Sequence, residues 1–405
     1  MRVAIVTSSY WPIVGGQMIY ARDLARELVR QGHQVTVATR FTSRLRRNTW
    51  ESLSDVDPAA SYEEDGVDVR VLRPRGLRRL ALYPVHRLHY YERTEGAAIR
   101  LFQMALMDAL DEAIGTCDVI HFNGVGRELL GFVAEALARE RRVPFVMTTH
   151  MHPGTWGDSR LDFRLYARAD RILAHTEWEK SVYVSRGVDP ARVQAIGIGV
   201  QTLGTGDAQR ARTRYGLDGP TVLFVARKAH YKGYGLLLES APIVWEYFPE
   251  ARFVFVGPDQ DEPTPRQRAV IGDRRVVETG VVGEQEKADL YAACDALCVP
   301  SRAESFGLSY FEAWLYGKPV VGLDIPALRE VIGGSGGGVL ADDPAPNAIA
   351  AAIMRLLGDE ELRRAMGTRG KRLAETYRPC VAAQRVAALY AEAQSASGMP
   401  GHAEC

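Results

Sequence analysis

Short runs rich in β-branched residues alternate with longer amphipathic runs along most of the chain. The first run, RVAIVT at residues 2–7, is followed by QMIYARDLARELVRQG, in which apolar residues recur at helical spacing until Gly32 ends the helix. This alternation is typical of βαβ units, in which helices cover both faces of a parallel sheet. The sequence therefore predicts an α/β fold with doubly wound parallel sheets.

The strand–helix pattern occurs twice, on either side of a glycine-rich segment at residues 197–219 that has no sheet pattern. With 405 residues, the chain is long for one hydrophobic core. We therefore expect one domain over residues 1–200, a second over residues 215–378, and a final helix at about 379–395 that returns to the first domain. The predicted strands lie at 2–7, 34–39, 67–72, 118–122, 144–149, 171–176, 221–226, 252–257, 275–280, 296–300 and 319–323.

The composition is that of an ordinary globular protein, with a formal net charge of +0 and 25% charged residues. Such a chain has no global field that would attract nucleic acid or an acidic substrate. The first apolar run is too short for a signal peptide, and no later segment keeps about 18 uninterrupted apolar residues. The five cysteines form no Cys-x-x-Cys pair, which favours a reducing compartment. We therefore expect a cytoplasmic protein.

The first strand-to-helix turn reads SSYWPIVGGQM and contains Gly15 and Gly16. In open parallel sheets, ligands bind at the carboxyl ends of strands, where helix N-termini present free N–H groups. Two adjacent glycines let a ligand approach the backbone amides closely, as a phosphate requires. The same pair also fits a flexible βα loop, and its spacing does not match the G-x-G-x-x-G dinucleotide motif.

A second such turn, FVARKAHYKGYG, places Arg227 and Lys232 just past the predicted strand at 221–226. Two cations at a strand end could hold a diphosphate, the arginine by gripping two oxygens and the lysine as a point charge. Solvated surface charge is the alternative interpretation. A P-loop is excluded at Gly317 and Lys318, because proline follows them and no glycine precedes them at the required spacing.

The third turn, ESFGLSYFE, carries two glutamates. Glu304 lies in the loop, and Glu312 lies roughly one turn inside the predicted helix, about 6 Å along its axis. Between them, the amides of Phe306, Gly307 and Leu308 lie at the helix N-terminus. An anion site with a carboxylate on each side suits a nucleotide sugar, which carries hydroxyls on both sides of a diphosphate. Favourable acidic residues near a helix start would account for Glu312 but not for Glu304.

Histidines at strand ends are further candidates. His150 ends the predicted strand PFVMTT and so lies at the carboxyl edge of the first sheet. His121 and His152 are the other candidates at this edge. A histidine at a strand end is often structural, and that alternative stays open.

Two Asp-x-Asp triplets, at residues 55–57 and 259–261, raise the question of a metal ion bound to a diphosphate. Such triplets arise easily by chance, and both lie in acidic loops. We therefore expect no metal ion and no cofactor besides the nucleotide sugar, which is a co-substrate.

Taken together, these residues resemble the retaining glycosyltransferases of family 4, and the resemblance covers roughly residues 1–395. Its most specific part is the Glu-x7-Glu element, ESFGLSYFE, whose second glutamate begins the run EAWLYGKPVV. Arg227 with Lys-Gly at 232–233, Gly-Gly at 15–16, the DVIHF strand and HTEWEKSVYVSRGV followed by GIGV support it in the expected order. This order is harder to obtain by chance than any single motif.

The family has the GT-B architecture, in which two Rossmann-like domains face a central cleft and a C-terminal helix returns to the first, acceptor-side domain. The resemblance implies that the second domain binds the sugar nucleotide, with Glu312 on the ribose and with Arg227 and Lys232 on the diphosphate. His150 matches a family histidine near the reacting sugar. The other implied donor contacts are Glu304, the backbone at Phe306, Gly307 and Leu308, the glycine pair Gly15 and Gly16, and the backbone near Val282 for the base.

The activity implied by the resemblance is metal-independent transfer of a hexosyl group, with retention, from a UDP- or GDP-linked sugar to a saccharide, lipid-linked or small-molecule acceptor. A nucleoside diphosphate is a good leaving group, so catalysis needs positive charge and helix amides more than a strong acid. In the family's front-face route, the leaving phosphate itself helps to deprotonate the acceptor. Glu304 is then a positioning residue and not a covalent nucleophile. The implied catalytic set is His150, Arg227, Lys232 and Glu304.

Two positions depart from the family pattern. Where many members read Pro-Asn-Gly-Val-Asp, this chain reads GIGVQ at residues 197–201, which puts any ligand contact from that segment in doubt. Asn123 stands where members often have a second histidine after His121.

Two other functions are compatible with this fold. A sugar-nucleotide epimerase would need a pair of general bases in the cleft, and the form of the Glu-x7-Glu element points away from it. The other is a catalytically silent sugar-nucleotide-binding protein, against which the presence of Glu304, Arg227, Lys232 and His150 argues.

Residues 73–93, RPRGLRRLALYPVHRLHYYER, mix arginines with leucines and tyrosines. This composition could contact an anionic membrane surface or an anionic acceptor, in which case neutralising Arg75, Arg78 and Arg79 removes the contact. A solvated helix or loop that packs its apolar side is the alternative.

Overall fold

The computed structural model describes residues 1–46 and 48–396, and within them the chain forms two units that each contain one β-sheet. The first unit comprises Met1–Gly199 and the last helix of the described chain, and the second comprises Val200–Arg378. The α/β class that the strand–helix alternation predicts is confirmed.

The first unit is built on a sheet of eight strands in the described residues. Their bounds are β1 Arg2–Ser9, β2 Gln34–Phe41, β3 Tyr62–Glu64, β4 Val67–Val71, β5 Val119–Asn123, β6 Phe145–Thr148, β7 Arg171–Ala174 and β8 Val193–Ala195. The order across the sheet is β3-β4-β2-β1-β5-β6-β7-β8, with β3 antiparallel to β4 and the other pairs parallel. The order changes direction between β1 and β5, so their carboxyl ends form the topological switch point of this sheet.

Helices pack against the first sheet through a continuous apolar core. The side chains of Phe102, Phe122 and Phe132 are buried in this core, where they join helix residues to strand β5. The helices of this part of the chain are α1 Gly16–Arg30, α2 Thr49–Ser54, α3 Val85–Leu88, α4 Glu92–Ile114, α5 Leu130–Arg141, α6 Arg160–Tyr166 and α7 Glu177–Ser185.

The second unit repeats the design with a parallel sheet of six strands in the described residues. The elements are α8 Ala208–Tyr215, β9 Thr221–Val225, α9 Tyr234–Trp245, β10 Arg252–Val256, α10 Pro265–Ile271, β11 Val276–Gly280, α11 Glu284–Ala293, β12 Ala296–Cys298, α12 Leu308–Leu315, β13 Val320–Leu323, α13 Pro326–Leu328, β14 Gly338–Ala341, α14 Pro346–Leu357 and α15 Glu360–Ala374. The strand order β11-β10-β9-β12-β13-β14 places the switch point between β9 and β12.

Helix α8 occupies part of the segment that the sequence analysis treats as a linker. Asp207 caps it by accepting a hydrogen bond from the backbone amide of Arg210, and Arg210 pairs with Asp289 on α11. The second unit therefore begins at Val200 and not near residue 215. The glycines of this segment obscured a short polar helix whose stability comes from its cap and its ion pair.

The last described helix, α16 Pro379–Ala396, belongs to the first unit. Its Gln394 donates a 3.0 Å hydrogen bond to the carbonyl oxygen of Asp118, and its Tyr390 hydroxyl lies 2.6 Å from Nδ1 of His121. Because His121 is completely buried and also contacts Thr148, it is a core residue and not the site residue that its strand suggested.

The chain passes between the two units at two neighbouring places. At the start of the second unit, the amide of Val200 donates a 2.7 Å hydrogen bond to the carbonyl oxygen of Tyr377, near the end of the same unit. In the first unit, a Cβ atom at Gly199 would lie 2.7 Å from the Cα atom of Pro379. Each unit therefore has its own close contact at the boundary.

Three short strands, β3, β8 and β14, are absent from the sequence-based set. Each has three or four residues, and β14 begins at the last glycine of the run GGSGGG. Such segments are too short to show a period-2 pattern, so their pairing in the sheet is what makes them strands.

Candidate active site

An ion pair lies at the topological switch point of the second sheet. Lys232 follows β9, Glu304 follows β12, and Lys232 Nζ lies 2.6 Å from Glu304 Oε2. Their side chains are only 15% and 8% exposed. The structure thus brings together two residues that the sequence analysis assigns to separate turns.

A tight turn after Lys232 allows this approach. Lys232 ends the 3-10 helix His230–Lys232, and Gly233 follows it with a φ of 77°, in the left-handed region. A Cβ atom at Gly233 would lie 2.1 Å from the carbonyl oxygen of Pro300, which follows β12. Glycine is therefore required for the turn after β9 to lie against the end of β12.

The helix that follows Glu304 has an uncapped N-terminus. Gly307 is the N-cap of α12, with a φ of 85° and no side chain to accept from the first amides. A Cβ atom at Gly307 would lie 2.3 Å from the ring of Tyr310 and 3.5 Å from Cγ of Glu304. The first amides of α12 and the helix dipole therefore lie beside the Lys232–Glu304 pair, which is an arrangement that favours an anion.

Glu312, inside α12, is held by two residues of α11. Lys287 Nζ lies 2.8 Å from its Oε1, and the Tyr291 hydroxyl donates a 2.7 Å hydrogen bond to its Oε2. Burial and the Glu312 carboxylate raise the pKa of Tyr291 well above its usual value, so the phenol remains a donor. The sequence analysis missed both partners, although a spacing of four residues places them on one face of α11.

Arg227 and Lys228, which follow β9, differ in their exposure to solvent. Arg227 is exposed, and its Nη2 donates a 2.7 Å hydrogen bond to the hydroxyl of Tyr231. The Tyr231 ring also lies 5.2 Å from Lys232 Nζ, within the range of a cation–π contact. Lys228, which the sequence analysis did not consider, is only 3% exposed. Arg227 is therefore accessible to a ligand, whereas Lys228 belongs to the interior.

The Asp-x-Asp triplets have partners in the protein. Asp259 pairs with Lys228 at 2.9 Å, and Asp261 accepts a 2.5 Å hydrogen bond from the backbone amide of His230. Asp57 accepts from two backbone amides in the loop after β2. In the part of the chain that the structure describes, no three potential metal ligands are grouped together. These carboxylates therefore have structural roles in loops.

The segment assigned to the nucleotide base directly follows β11. Gly280 has a φ of 69°, which turns the chain at the carboxyl end of the strand. Val281 is 67% exposed and Val282 is half-buried. Backbone groups at this turn are accessible, as a contact with a base requires.

In the first unit, His150 follows β6 and lies at the carboxyl edge of the sheet. Its φ is 50°, an unusual conformation for a residue with a side chain, and it is 7% exposed. His150 Nε2 lies 2.7 Å from Asn123 Oδ1, and His150 Nδ1 lies 3.0 Å from His175 Nε2. Backbone strain of this kind clusters at functional sites.

The contacts of His150 fix its tautomer. Asn123 Nδ2 donates to the carbonyl oxygen of Gln17 at 3.3 Å, so its Oδ1 accepts from the N–H at Nε2 of His150. Nδ1 of His150 then accepts from Nε2–H of His175. Burial lowers the pKa of His150 well below its usual value and that of His175 to about 3, so both rings are neutral. His152 Nδ1 donates a 2.9 Å hydrogen bond to the carbonyl oxygen of His150.

A buried glutamate supports the histidine loop. Glu179, on α7, accepts hydrogen bonds from the backbone amide of His175 at 2.7 Å, from the Tyr183 hydroxyl at 2.9 Å and from Thr149 Oγ1 at 3.3 Å. Glu179 therefore links the segment that follows β6 to the segment that follows β7. His175 and Glu179 were not predicted from the sequence, although His175 follows β7 as His150 follows β6, and adjacent parallel strands end at the same edge.

The glycine turn borders the same edge of the first sheet. Gly15 is the extended N-cap of α1 and Gly16 is its first residue. The next residue, Gln17, donates a 2.9 Å hydrogen bond to the carbonyl oxygen of Asn123 at the end of β5. The turn is therefore connected to the residue that orients His150.

Residues 73–93 form the 3-10 helix Gly76–Leu82 followed by α3. Arg75 and Arg78 pair with Glu112 and Asp108 on α4, in surface ion pairs whose side chains are 50–63% exposed. The exposed side chains include Leu77 (82% exposed), Leu80, Tyr83 and Arg79. None of the helices in the described residues is long and apolar enough to cross a membrane.

Two family descriptions match the chain: "Glycosyltransferase Family 4" at residues 14–202 and "Glycosyl transferases group 1" at residues 207–373. A D-inositol 3-phosphate glycosyltransferase of Acidothermus cellulolyticus is 30% identical over 85% of this chain and 78% of its own length. The chain belongs to glycosyltransferase family 4. A second relative of this family 4 protein, the D-inositol 3-phosphate glycosyltransferase of Frankia alni, is 29% identical over 85% of this chain and 86% of its own length.

Solved structures share the fold of this glycosyltransferase. A sucrose-phosphate synthase of Thermosynechococcus elongatus has a TM-score of 0.73 and 21% identity, with 98% of this chain and 100% of that chain covered. HepE of Anabaena, in complex with UDP and glucose, has a TM-score of 0.71 and 17% identity, with 97% and 100% covered. The GT-B fold class and the resemblance to family 4 are thereby confirmed.

We predict that Gly307→Ala lowers the free energy of unfolding of this glycosyltransferase by more than about 1 kcal/mol, because alanine is strained at positive φ and its methyl group would overlap the Tyr310 ring. Urea unfolding followed by circular dichroism measures the change. The control is Gly334→Ala, a site with a helical φ of −63° and open space around its Cβ position. Equal stability of the two variants would contradict the assigned conformation of Gly307.

Proposed function

We propose that this family 4 enzyme is a retaining glycosyltransferase that moves a hexosyl group from a nucleoside-diphosphate sugar to an acceptor hydroxyl. The observation that carries the proposal is the Lys232–Glu304 pair beside the open N-terminus of α12. A cation, a carboxylate and the amides of a helix N-terminus in one place match the phosphates and hydroxyls of a sugar nucleotide. Of the two donors considered, UDP- and GDP-sugars, the solved HepE complex with UDP-glucose favours the uridine form.

In this proposal, Lys232, Arg227 and the amides that begin α12 hold the diphosphate. Negative charge builds up on this group as the bond to the sugar breaks, and donors already in position stabilise it without reorganisation. Phe306, Gly307 and Leu308 supply the backbone at the start of the helix, and Gly15 and Gly16 are assigned a further contact with the donor. Arg227 is free to move onto the phosphate, because its partner Tyr231 is a neutral phenol.

Glu312 is assigned to the ribose. Its carboxylate has about four acceptor positions, and Lys287 and Tyr291 fix its orientation through two of them. The remaining positions accept from the two ribose hydroxyls. The backbone near Val282 is assigned to the base.

Retention and metal independence are part of the proposal. The positive charge of Lys232, Arg227 and α12 acts where a metal ion would otherwise stabilise the departing diphosphate. Glu304 is in contact with Lys232, so we assign it to positioning the donor and not to covalent attack. The acceptor oxygen bonds to the anomeric carbon on the face that the diphosphate leaves, and the departing phosphate oxygen takes the acceptor proton.

His150 acts in this scheme as a neutral hydrogen-bonding group. Its ring is held between Asn123 and His175, and burial lowers its pKa well below the usual value. To orient a sugar hydroxyl, the neutral imidazole exchanges its hydrogen bond with Asn123 for one with the ligand, whereas a proton-transfer role would require protonation near neutral pH.

The acceptor is assigned to the first unit. The two relatives described above are named for D-inositol 3-phosphate, which favours a small cyclic acceptor over the saccharide and lipid-linked alternatives. We also propose that the enzyme acts in the cytoplasm, where sugar nucleotides are available to it, and that residues 73–93 form a peripheral contact with an anionic membrane or acceptor.

The donor site is tested by calorimetric titration with UDP, GDP and ADP in EDTA and again with Mg²⁺. We expect one diphosphate to bind equally in both buffers, and Glu312→Gln to weaken it about 10- to 100-fold, because a hydrogen bond to a charged group contributes about 1.5–3 kcal/mol. Arg227→Ala should also weaken it. The control is Glu361→Gln, at an exposed position on α15. A folded protein that binds none of the three diphosphates would contradict the proposed function.

The neutral state of His150 is tested by the pH dependence of kcat/KM for the wild type and His150→Gln. We expect the variant to be slower by about 10- to 100-fold, since one oriented hydrogen bond in the transition state is lost. The two profiles should be parallel between pH 5.5 and 8.5, because His150 does not titrate in this range. Loss of one limb of the profile in the variant would show that His150 carries a proton.

The surface contact of residues 73–93 is tested by sedimentation with phosphatidylglycerol vesicles. Leu77→Ser combined with Arg79→Ser should reduce binding about fivefold or more, because a single arginine near an anionic surface contributes about 1 kcal/mol. The control, Arg266→Ser, removes the same charge from an exposed site in the second unit. Equal binding of both variants and the wild type would contradict a membrane contact, and UDP binding should be unchanged in all three.

A further inference from the structure

The first sheet has a topological switch point of its own, between β1 and β5. Ser8 lies near the end of β1, and Glu128 lies just after β5, in the 3-10 helix Gly126–Glu128. Parallel α/β sheets bind ligands at such points. In the second sheet, the equivalent position holds the Lys232–Glu304 pair that we assign to the donor. The switch point of the first sheet is therefore a binding position that the donor contacts of the second unit do not use.

Ser8 and Glu128 form a hydrogen-bonded pair at this edge of the sheet. Ser8 Oγ donates a 2.8 Å hydrogen bond to Glu128 Oε2. The carboxylate lies over Gly124, where a Cβ atom would be only 2.5 Å from Oε2. Both side chains are partly exposed. Since a carboxylate has about four acceptor positions, Ser8 and the backbone amide of Val125 leave capacity for hydroxyl groups of a ligand.

The backbone directly after Glu128 has a strained conformation. The next residue, Leu129, has a φ of 61°, which is unfavourable for leucine, and it is completely buried. Glycine or asparagine would adopt this conformation more easily. A strained, buried residue next to a partly exposed glutamate is typical of a position that serves binding more than stability.

The charged groups that face Glu128 have other partners. Asp162 on α6 accepts a 2.7 Å hydrogen bond from the amide of Arg127 and lies 3.5 Å from its guanidinium. The guanidinium of Arg40, on β2, donates to carbonyl oxygens at the end of α2. The Tyr166 phenol, on α6, is buried and donates to a backbone carbonyl oxygen. Burial raises the pKa of Glu128 to about 7, and Asp162 adds to this effect while Arg40 opposes it.

We propose that Glu128 and Ser8 form a subsite for the acceptor that binds adjacent hydroxyl groups of a neutral polyol ring. This inference rests on the proposed transferase function and names the acceptor class for it. An ionised carboxylate accepts hydrogen bonds from two neighbouring hydroxyls, and it repels the negative charge of a phosphate group. Cyclitols and monosaccharides both present this pair of hydroxyls.

The subsite should respond to pH in a defined direction. The ionised carboxylate is the form that accepts two hydrogen bonds, so protonation below its pKa competes with the ligand. For a group that titrates near pH 7, the affinity for a polyol should rise about tenfold from pH 6 to pH 8. The direction distinguishes Glu128 from the surface carboxylates, which are ionised throughout this range.

Saturation-transfer NMR on the full-length protein tests the inference, with myo-inositol and glucose as neutral probes and D-inositol 3-phosphate as the anionic probe. We expect a neutral probe to bind more tightly than the anionic one, and to bind about tenfold more tightly at pH 8 than at pH 6. Glu128→Gln should weaken binding about tenfold at pH 8 and remove the pH dependence. Ser8→Ala, which keeps the carboxylate, should weaken binding less and keep the pH dependence. The matched control is Glu140→Gln, at an exposed position near the other end of α5.

UDP titration of every variant separates this inference from the proposed function. If the wild type binds UDP but neither neutral probe, or if Glu128→Gln binds a neutral probe as the wild type does, the subsite is wrong and the transferase function stands. Tighter binding of D-inositol 3-phosphate than of the neutral rings would overturn the assignment of a neutral acceptor. Failure of the wild type to bind any nucleoside diphosphate would contradict the proposed function itself.

Discussion

The ion pair between Lys232 and Glu304 organises the proposed donor site. Two charges that are mostly removed from water are stable only when they are paired at close range, so each residue depends on the other for its position. Their approach requires Gly233 on one side and Gly307 on the other, both at positive φ and both without room for a Cβ atom. Because the carboxylate already neutralises the lysine, an arriving phosphate would share an existing cation. The site is therefore held in shape before a ligand binds, which reduces the conformational entropy lost on binding.

The first unit uses a different means of holding its edge residues. Burial keeps His150 neutral, and Asn123 and His175 hold it in one tautomer. Glu179 accepts hydrogen bonds from the backbone amide of His175 and from Thr149 Oγ1. No charge of the kind found at Lys232 is needed there. This difference between a charged lysine in the second unit and a neutral histidine in the first suits the proposed ligands. A departing diphosphate needs positive charge, whereas a hydroxyl group needs an acceptor or a neutral donor.

The sequence predicted the fold well, because a strand–helix alternation repeated on both sides of a glycine-rich segment is a local signal. It also proposed Glu304, Glu312 and Lys232 as site residues from their places at strand-to-helix turns, and the structure brings Lys232 and Glu304 together. It did not identify the residues that hold them. The contact of Lys287 with Glu312, and that of Glu179 with the histidine loop, depend on which helices pack together, and no period or spacing within one element carries that information. The short helix α8 was missed for a related reason, since its cap and ion pair outweigh a weak local propensity.

The two neighbouring chain passages at Gly199–Val200 and at Arg378–Pro379 have a consequence for biosynthesis. The second unit is one continuous segment whose ends are hydrogen-bonded to each other through Val200 and Tyr377, whereas the first unit is completed only by α16. A ribosome therefore delivers every residue of the second unit before it delivers the helix whose Tyr390 contacts the buried His121. Domains usually fold in the order of their synthesis. Here the order is reversed at the last step: the unit that begins first is completed only after the whole of the second unit has been synthesised.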